Sequence, residues 1–488
     1  MNTPLPTPTA IHLHPDPSRV LIRAFISADR AARLRIIERA LMPDDDEITT
    51  RLAELHALFD VRHHAIEASW RRAYCQIRDQ VPHEPSISDN RRLYIGALFS
   101  GEYALESTAL FNPSIVQHPD QSGLEPGALR FILSLRATGE GHISSIAFRS
   151  GILSPNHEIS IDPVSRHVSA PELNPDPTFR RSTFFRKLHE MEFDNAWSRL
   201  LMNSLGEVFT RSQLNAAIRA ADSATPPVTM DSRRTKEGIR WLAEVNYQAH
   251  FETSIPLSRR IIFPVSPTES NGMEDARFVR FKDEDGTITY YATYTAYNGR
   301  SILPQLLETT DFANFRASTL NGPGVRNKGM ALFSRKINGR FFMISREDDE
   351  NLYLMHSEDL HFWEEARLLR RPTKNWESVK IGNCGSPIET SSGWLLITHG
   401  VGPMRRYCIG ALLLDLENPS IVIGHLAHPL IEPDEPQRDG YVPNVVYTCG
   451  ALIHGDRLIL PYALNDTSTT IVTFDLQELL SALTAGVK

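Results

Sequence analysis

The sequence predicts a mainly β fold: a β-propeller of about five blades, with an N-terminal helical extension and a helical insertion. Three observations carry this. From about residue 91 onward the chain is a succession of short strand-like runs and turn residues, such as Phe131 to Arg136 and His142 to Phe148. Within that region Thr309-Thr310-Asp311-Phe312-Ala313-Asn314-Phe315 answers to His356-Ser357-Glu358-Asp359-Leu360-His361-Phe362-Trp363, with the two aspartates 48 residues apart. A period of about 50 residues with several short strands per unit is what propeller blades look like. Finally, the chain is 488 residues long, and the stretch from 92 to 485, less the helical insertion, leaves room for five or so such units, far more than a β-sandwich needs.

Each element follows from local pattern. Residues 1 to about 18 are rich in Pro and Thr and read as irregular. From Ser27 to about Asp79 the period becomes helical. Ala31, Leu34, Ile37 and Leu41 mark one segment, and Leu52, Leu55, Leu58 and Phe59 mark the next. Asp44-Asp45-Asp46 between them reads as a helix stop and as the cap of the second helix. A third helical run is expected from Val61 to about Val81, ended by Pro82 and Pro85. Residues 1–90 are therefore expected to form a helical extension and residues 91–488 the β domain. Inside the latter, 178–222 returns to helical spacing through Phe185, Leu188 and Met191, then Leu200, Leu201 and Leu205, then Leu214 and Ile218. From about 236 strands and turns resume. They continue to a short terminal helix over Asp475 to Ala485, marked by Leu476, Leu479 and Leu480.

Composition excludes several classes of function. The net charge is −8 and no long basic run occurs, which argues against a nucleic-acid backbone binder. Apolar runs such as Trp394-Leu395-Leu396-Ile397 are far too short to span a bilayer, so no membrane partner is expected. The first residues lack a basic region followed by an apolar one, which predicts a cytoplasmic protein. Cys75, Cys384, Cys408 and Cys449 show no CxxC pair and no metal-ligand spacing, and read as buried reduced thiols. No metal and no cofactor is expected.

The chemistry centres on Asn271-Gly272-Met273-Glu274-Asp275-Ala276-Arg277-Phe278. Two adjacent carboxylates at a strand entry are costly to desolvate unless paired. On an extended strand Arg277 points the same way as Asp275, where it would hold the carboxylate in place and ionised. Taken alone the stretch also reads as a turn acid with a surface salt bridge. Further clusters lie near strand ends: Gly324-Val325-Arg326-Asn327-Lys328-Gly329, Ser345-Arg346-Glu347-Asp348-Asp349, Thr398-His399-Gly400-Val401 with Arg406-Tyr407, and Asn465-Asp466-Thr467. Each alone reads more readily as a turn or a solvated pair. Converging from several blades, their Arg, His and Tyr would offer a small anion charge-assisted donors, and their carboxylates would suit sugar hydroxyls and acid chemistry.

Together these stretches resemble glycoside hydrolase family 130, the β-mannoside phosphorylases and related β-mannosidases. Gly272-Met273-Glu274-Asp275-Ala276-Arg277 is similar to that family's Gly-x-Glu-Asp-Pro-Arg motif. The resemblance continues through Arg326-Asn327-Lys328, Ile381-Gly382-Asn383-Cys384-Gly385-Ser386-Pro387-Ile388, Gly393 to Val401 and Val442-Pro443-Asn444-Val445-Val446-Tyr447-Thr448-Cys449-Gly450. It is strong over about 261–480, weaker over 92–170 and absent before 90. It implies a five-bladed propeller and inverting phosphorolysis of a β-mannoside to mannose 1-phosphate, with inorganic phosphate as co-substrate. By the same resemblance Asp275 is the general acid, its proton passing through a sugar hydroxyl. Arg326, Asn327, Arg346, His399 and Tyr407 match phosphate contacts. Arg136, Glu274, Arg277, Lys328 and Asp466 would serve substrate binding.

Three departures bear on this. Ala276 stands where the motif has proline, Ser345-Arg346-Glu347 where the family often has His-Arg-Pro, and the helical parts have no counterpart in compact members. Glu347, or another acid of the 347–350 run, is thus the natural base of an alternative, a β-mannosidase that uses water. A propeller that binds glycan without turnover is a further alternative. The amphipathic helices are expected to pack on the propeller or to form a homo-oligomer interface near the cleft.

Overall fold

The computed structural model describes residues 3–82, 84–224, 230–434 and 440–485. It is mainly β, and its sheets are antiparallel meanders. One meander takes Ala109–Gln117, Leu129–Thr138 and Ser144–Leu153; another takes Gly272–Lys282, Ile288–Tyr297, Ile302–Thr309 and Asn314–Thr319. The two touch through one parallel pairing, Gly272 with Ser144. Next comes Ala331–Leu332, Phe341–Ser345, Leu352–Ser357 and Ala366–Arg370, then Lys380–Asn383, Gly393–Val401, Tyr407–Leu414 and Val422–His425. The last sheet combines Val446–Tyr447, Arg457–Leu464 and Ser468–Asp475 with Thr7–Leu13 from the other end of the chain. The Pro- and Thr-rich start is thus a strand rather than irregular. Its prolines are tolerated because Thr7–Leu13 is an edge, and its register on Ser468–Asp475 slips between Pro8 and His12.

The 48-residue repeat is a repeat of turns. Oδ1 of Asp311 accepts from the amides of Ala313 and Asn314, and Oδ1 of Asp359 accepts from the amide of His361. Each aspartate thereby closes the turn into the last strand of its meander. The backbones behind the two turns pair with each other, Trp363 N donating to Asn321 O at 2.8 Å, with the Trp363 ring fully buried beside them. Apolar side chains fill the space between neighbouring sheets. Phe148 meets Phe278, Phe312 and Phe315 at ring separations of 5.7–6.1 Å.

Helices form largely where the pattern places them. Arg30–Leu41 and Asp45–Phe59 are joined by the aspartate run, and Asp44 caps the second by accepting from Glu47 N at 2.8 Å. The third run is the helix Ile66–Cys75, which leaves Cys75 exposed, while the other three cysteines are buried. Two boundaries differ. Asp89–Leu98 is a helix, not the start of the strands. Ser88 caps it, and Arg91 anchors it by donating to Ala40 O and Pro43 O. The second helical region also runs on, through Arg181–Glu190, Ala196–Asn203 and Arg211–Ala224 to Met230–Val245. Ile239, Leu242 and Val245 in the last helix complete a core with Leu188, Leu201, Leu214 and Ile218, which explains why it is helical. These helices dock on the β part through Arg186, which lies 3.6 Å over the Phe362 ring and donates to Asp359 at 3.0 Å. Gln305 also donates to Val245 O.

The N-terminal segment is pinned by a buried charge cluster. Glu106 is fully buried; both its oxygens accept from Arg149 at 3.0 Å, and Arg19 Nε lies 3.0 Å away. Arg19 also donates to Ser165 O and Ser258 O, joining three distant stretches. Glu106→Ala would strand two buried guanidiniums and should lower unfolding free energy by about 3–5 kcal/mol, read as a fall in denaturant midpoint. A change of about 0.5 kcal/mol or less would show that the cluster does not hold the fold together.

Candidate active site

The motif strand Gly272–Lys282 carries a bulge. Its register against Ile288–Tyr297 slips between Glu274 and Arg277, so Asp275 and Ala276 together face Tyr294. Asp275 takes the left-handed conformation, φ 53°, which aspartate tolerates better than most side chains. Ala276 stands in this bulge where the motif has proline. Strand Ala109–Gln117 has a matching slip between Phe111 and Ser114, with Asn112 at φ 48°. The two bulges turn Asn112 and Asp275 toward each other, and Asn112 Nδ2 donates to Asp275 Oδ1 at 2.7 Å.

Arg277 lies behind the carboxylate, nearly sealed from water at 2% exposure. The bulge changes how it meets Asp275. Its Nη1 donates to the Asp275 carbonyl at 2.8 Å, and its Nη2 sits 3.9 Å from the carboxylate. The remaining donors reach Cys384 O and the Tyr447 hydroxyl, at 2.9 and 2.8 Å. In front, Arg136 Nη1 donates to Asp275 at 3.3 Å and its Nη2 to Glu274 at 2.9 Å, while Lys328 lies 3.7 Å from Glu274. Burial alone would raise the Asp275 carboxyl. The charges of Arg136, Arg277 and Lys328 and the Asn112 hydrogen bond outweigh it and hold the group well below the usual carboxylate range.

Across the cavity stands a second constellation. Arg346 is 5% exposed, and its Nη1 donates to His399 Nε2 at 3.3 Å. A guanidinium only donates, so that ring nitrogen accepts and the imidazole proton sits on Nδ1, 4.0 Å from Cys384 Sγ. His399 is fully buried, stacks on Tyr407 with 5.8 Å between rings, and meets Tyr447 edge-on. Burial, followed by the charges of Arg346, Arg277 and Lys380, pushes its pKa well below the ordinary value. His399 is thus a neutral ring that orients Arg346, not a third positive charge. Gly382 makes the packing possible, because a Cβ there would fall 2.3 Å from the imidazole and 2.7 Å from Arg346 Cδ.

Both constellations line one cavity of about 310 Å³, a volume within the range of ligand pockets. It gathers Arg136, Asp275, Lys328, Arg346, His399, Tyr407 and Asp466 of the expected residues. Arg277 lies behind the wall, and Glu274 is reached through Arg136 and Lys328. Arg326 and Asn327 are not among the lining residues. Arg326 is exposed and spends its Nε on Pro323 O, while Asn327 folds back to accept from Lys328 N. Glu347 also lies outside the lining. It is half-buried, and burial raises its carboxyl against the pull of Arg326.

Sequence reasoning missed Asn112, Lys380 and Arg405, which also line the cavity, as does Asp349 of the 347–350 acid run. Asn112-Pro113 inside an apolar strand was a readable bulge signal. Asp349 has φ 59° and pairs with Lys380 at 2.8 Å. A larger groove of about 590 Å³ runs along the helices at 178–187, but the motif residues lie in the smaller cavity. Among the described residues no group of three or more His, Cys, Asp or Glu is arranged to hold a metal.

The model of glycoside hydrolase family 130, described as β-1,4-mannooligosaccharide phosphorylase, matches residues 205–485. A 1,2-β-oligomannan phosphorylase of Thermoanaerobacter sp. (strain X514) is 28% identical over 296 residues, covering 59% of this chain and 94% of that protein. A β-1,2-mannobiose phosphorylase of Listeria innocua is 28% identical over 278 residues, covering 54% of this chain and 76% of that protein. The solved structure of a β-1,2-mannobiose phosphorylase from Listeria innocua with β-1,2-mannobiose aligns at TM-score 0.45 and 21% identity, over 78% of this chain and 92% of that one. With its Glu-Asp-x-Arg bulge at the cavity wall and more than half its length matched by the family model, the chain belongs to glycoside hydrolase family 130.

Proposed function

We propose that the protein is an inverting phosphorylase that cleaves a β-mannoside with inorganic phosphate and releases mannose 1-phosphate. The observation that carries this is the charge of the cavity. Arg136, Lys328, Arg346, Lys380 and Arg405 face Asp275, Asp349 and Asp466, an excess of cations in a chain of net charge −8. Arg346 is the centre of that excess, a buried guanidinium whose nearest carboxylate, Asp349, is 4.0 Å away. Such a group fits a bound oxyanion. Relatives named as mannoside phosphorylases support the substrate class. In architecture, we read the sheets between Ala109 and Asp475 as a five-bladed propeller, completed by Thr7–Leu13, with the helices up to Leu98 as an extension and those from Arg181 to Val245 as an insertion.

In this reading a phosphate oxygen, oriented by Arg346, Lys380 and Tyr407, bonds to the anomeric carbon from the face opposite the leaving sugar. The bond from that carbon to the leaving oxygen breaks, and the oxygen takes a proton originating at Asp275 through a sugar hydroxyl. Phosphate is already an anion and needs no base. Asp275 must first gain its proton. An incoming phosphate brings negative charge beside the cations that hold the carboxyl down, and the sugar displaces water; both raise it. Asp275→Asn should lower mannose 1-phosphate release by about 10²–10⁴-fold with the fold intact. Near-normal turnover in that variant would remove Asp275 from the mechanism.

Asp349 favours a second reading, a hydrolase with a carboxylate base, since it lines the cavity whereas Glu347 does not. Its pairing with Lys380 keeps it occupied. Product analysis with and without inorganic phosphate separates the two, because mannose as the sole product would establish the hydrolase. Arg346→Ala should raise the phosphate KM by about tenfold or more, the loss of one charge-assisted contact, and change the mannoside KM less. Equal effects on both would deny Arg346 a phosphate role.

Asp466 would hold sugar hydroxyls. Burial first, then the negative charge of Asp275, pushes its carboxyl up to about 6 against the pull of Arg136 and Arg405. A neutral carboxyl donates as well as accepts. Its folded value lies above the ordinary 3.8, so the folded protein keeps a proton that the unfolded chain loses. This contribution to stability is complete below about pH 4 and lost as pH rises through about 6. Asp466→Asn should therefore flatten the fall of the thermal midpoint across that window. An unchanged slope would assign the fall to other groups.

A further inference from the structure

An aromatic surface that this chemistry does not use lies against the turn that carries the cavity-lining Asp466. Tyr441 is 56% exposed and stacks on His142, with 5.7 Å between ring centroids and 21° between planes. Its hydroxyl lies 3.3 Å from His142 Nδ1. The two residues are 299 positions apart in the chain, and each is tied to a cavity-lining residue. His142 sits in the turn between Leu129–Thr138 and Ser144–Leu153, two residues before Ser144, whose hydroxyl accepts from Arg136 Nε at 2.9 Å. Tyr441 is hydrogen-bonded to the turn that bears Asp466. Tyr441 N donates to Thr467 Oγ1 at 3.5 Å, and Val442 N donates to Asn465 O at 3.0 Å. Gly440 allows this closeness, since a Cβ there would fall 2.5 Å from Asn465 Cβ.

The stacked pair therefore bridges the sheet that supplies Arg136 and the sheet that supplies Asp466. One face of Tyr441 is covered by the imidazole. Two more apolar side chains stand in water beside lining residues: Met404, 91% exposed, next to Arg405, and Val379, 55% exposed, next to Lys380. A polar, cation-rich cavity is thus flanked, across the turn at 465–467, by an exposed phenol with a polar rim. A pyranose ring has the complementary character, a face of C–H bonds and a rim of hydroxyls. A second copy of the chain would need about 800 Å² of contact per partner, far more than one exposed phenol supplies.

We propose that Tyr441, backed by His142, is the platform on which the leaving-side sugar of the β-mannoside stacks, and that it selects for substrates with a second pyranose. This rests on the phosphorylase reading above and adds the group recognised on the leaving side. The ring next to the scissile bond is held by hydrogen bonds at Arg136 and Asp466, and the next ring is held by its apolar face on Tyr441. Monosaccharide binding is then indifferent to Tyr441 and disaccharide binding depends on it.

The test measures binding without turnover. Mannose and the β-1,2- and β-1,4-linked mannobioses are titrated calorimetrically into Asp275→Asn protein, with and without Tyr441→Ala or Tyr441→Phe. Tyr441→Ala should weaken a mannobiose about tenfold and leave mannose unchanged, while Tyr441→Phe keeps most of the affinity. Equal weakening of mannose and mannobiose, or no weakening of either, would overturn the platform. In otherwise wild-type protein, release of mannose 1-phosphate with the same mannobiose KM in Tyr441→Ala would overturn the platform alone and leave the phosphorylase reading standing. Failure of Asp275→Asn protein to bind any of the three sugars would overturn the β-mannoside reading and the platform with it.

Discussion

The guanidinium of Arg277 is the interaction on which the site depends. Buried to 2% exposure, it donates to carbonyls of two sheets, at Asp275 and Cys384, and to the Tyr447 hydroxyl of a third. A buried charge without partners would cost several kcal/mol, so those three acceptors must stay where they are for Arg277 to stay folded in. The motif strand is thereby locked to its neighbours at the residue that carries the carboxylate. Arg19 plays the same part at the periphery, where it and Arg149 close on Glu106.

Backbone geometry aims the polar groups. Asn112, Asp275, Asn465 and Asp466 all have positive φ, two of them at bulges and two in the turn between Arg457–Leu464 and Ser468–Asp475. Asn and Asp enter this region at low cost because their short side chains bond locally. A strand that kept its regular alternation would bury such groups between sheets or point them away from the cavity. Locally irregular backbone held by regular neighbours is how the fold presents them.

Charge divides the cavity into two kinds of site. On one side, Asp275 is held ionised by surrounding cations while Asp466 is pushed up to about 6 by burial and by its acidic neighbour. Two carboxylates facing one cavity thus titrate in different pH ranges because their surroundings differ. On the other side, His399 is neutral and lends its lone pair to Arg346, so the cation nearest the ring is fixed in direction without a second positive charge beside it.

Much of this was written locally. Hydrophobic period set the helices Arg30–Leu41 and Asp45–Phe59, the cap at Asp44 lay in the aspartate run, and the 48-residue repeat marked equivalent turns at Asp311 and Asp359. The Glu-Asp-x-Arg stretch marked the carboxylate that ends up in the cavity wall. Tertiary structure decided what depends on distant partners. The start of the chain became a strand only because Ser468–Asp475 offered an edge, and Met230–Val245 became a helix because its apolar face completes a core. Arg326 and Lys380 show the same limit within the site. Both are basic residues beside recognisable motifs, yet Lys380 faces the cavity and Arg326 turns to Pro323 O. Spacing along a chain carries the period of a helix or strand, which is a local property. Which donor meets which acceptor across sheets is set by how those sheets pack, and no single segment contains that information.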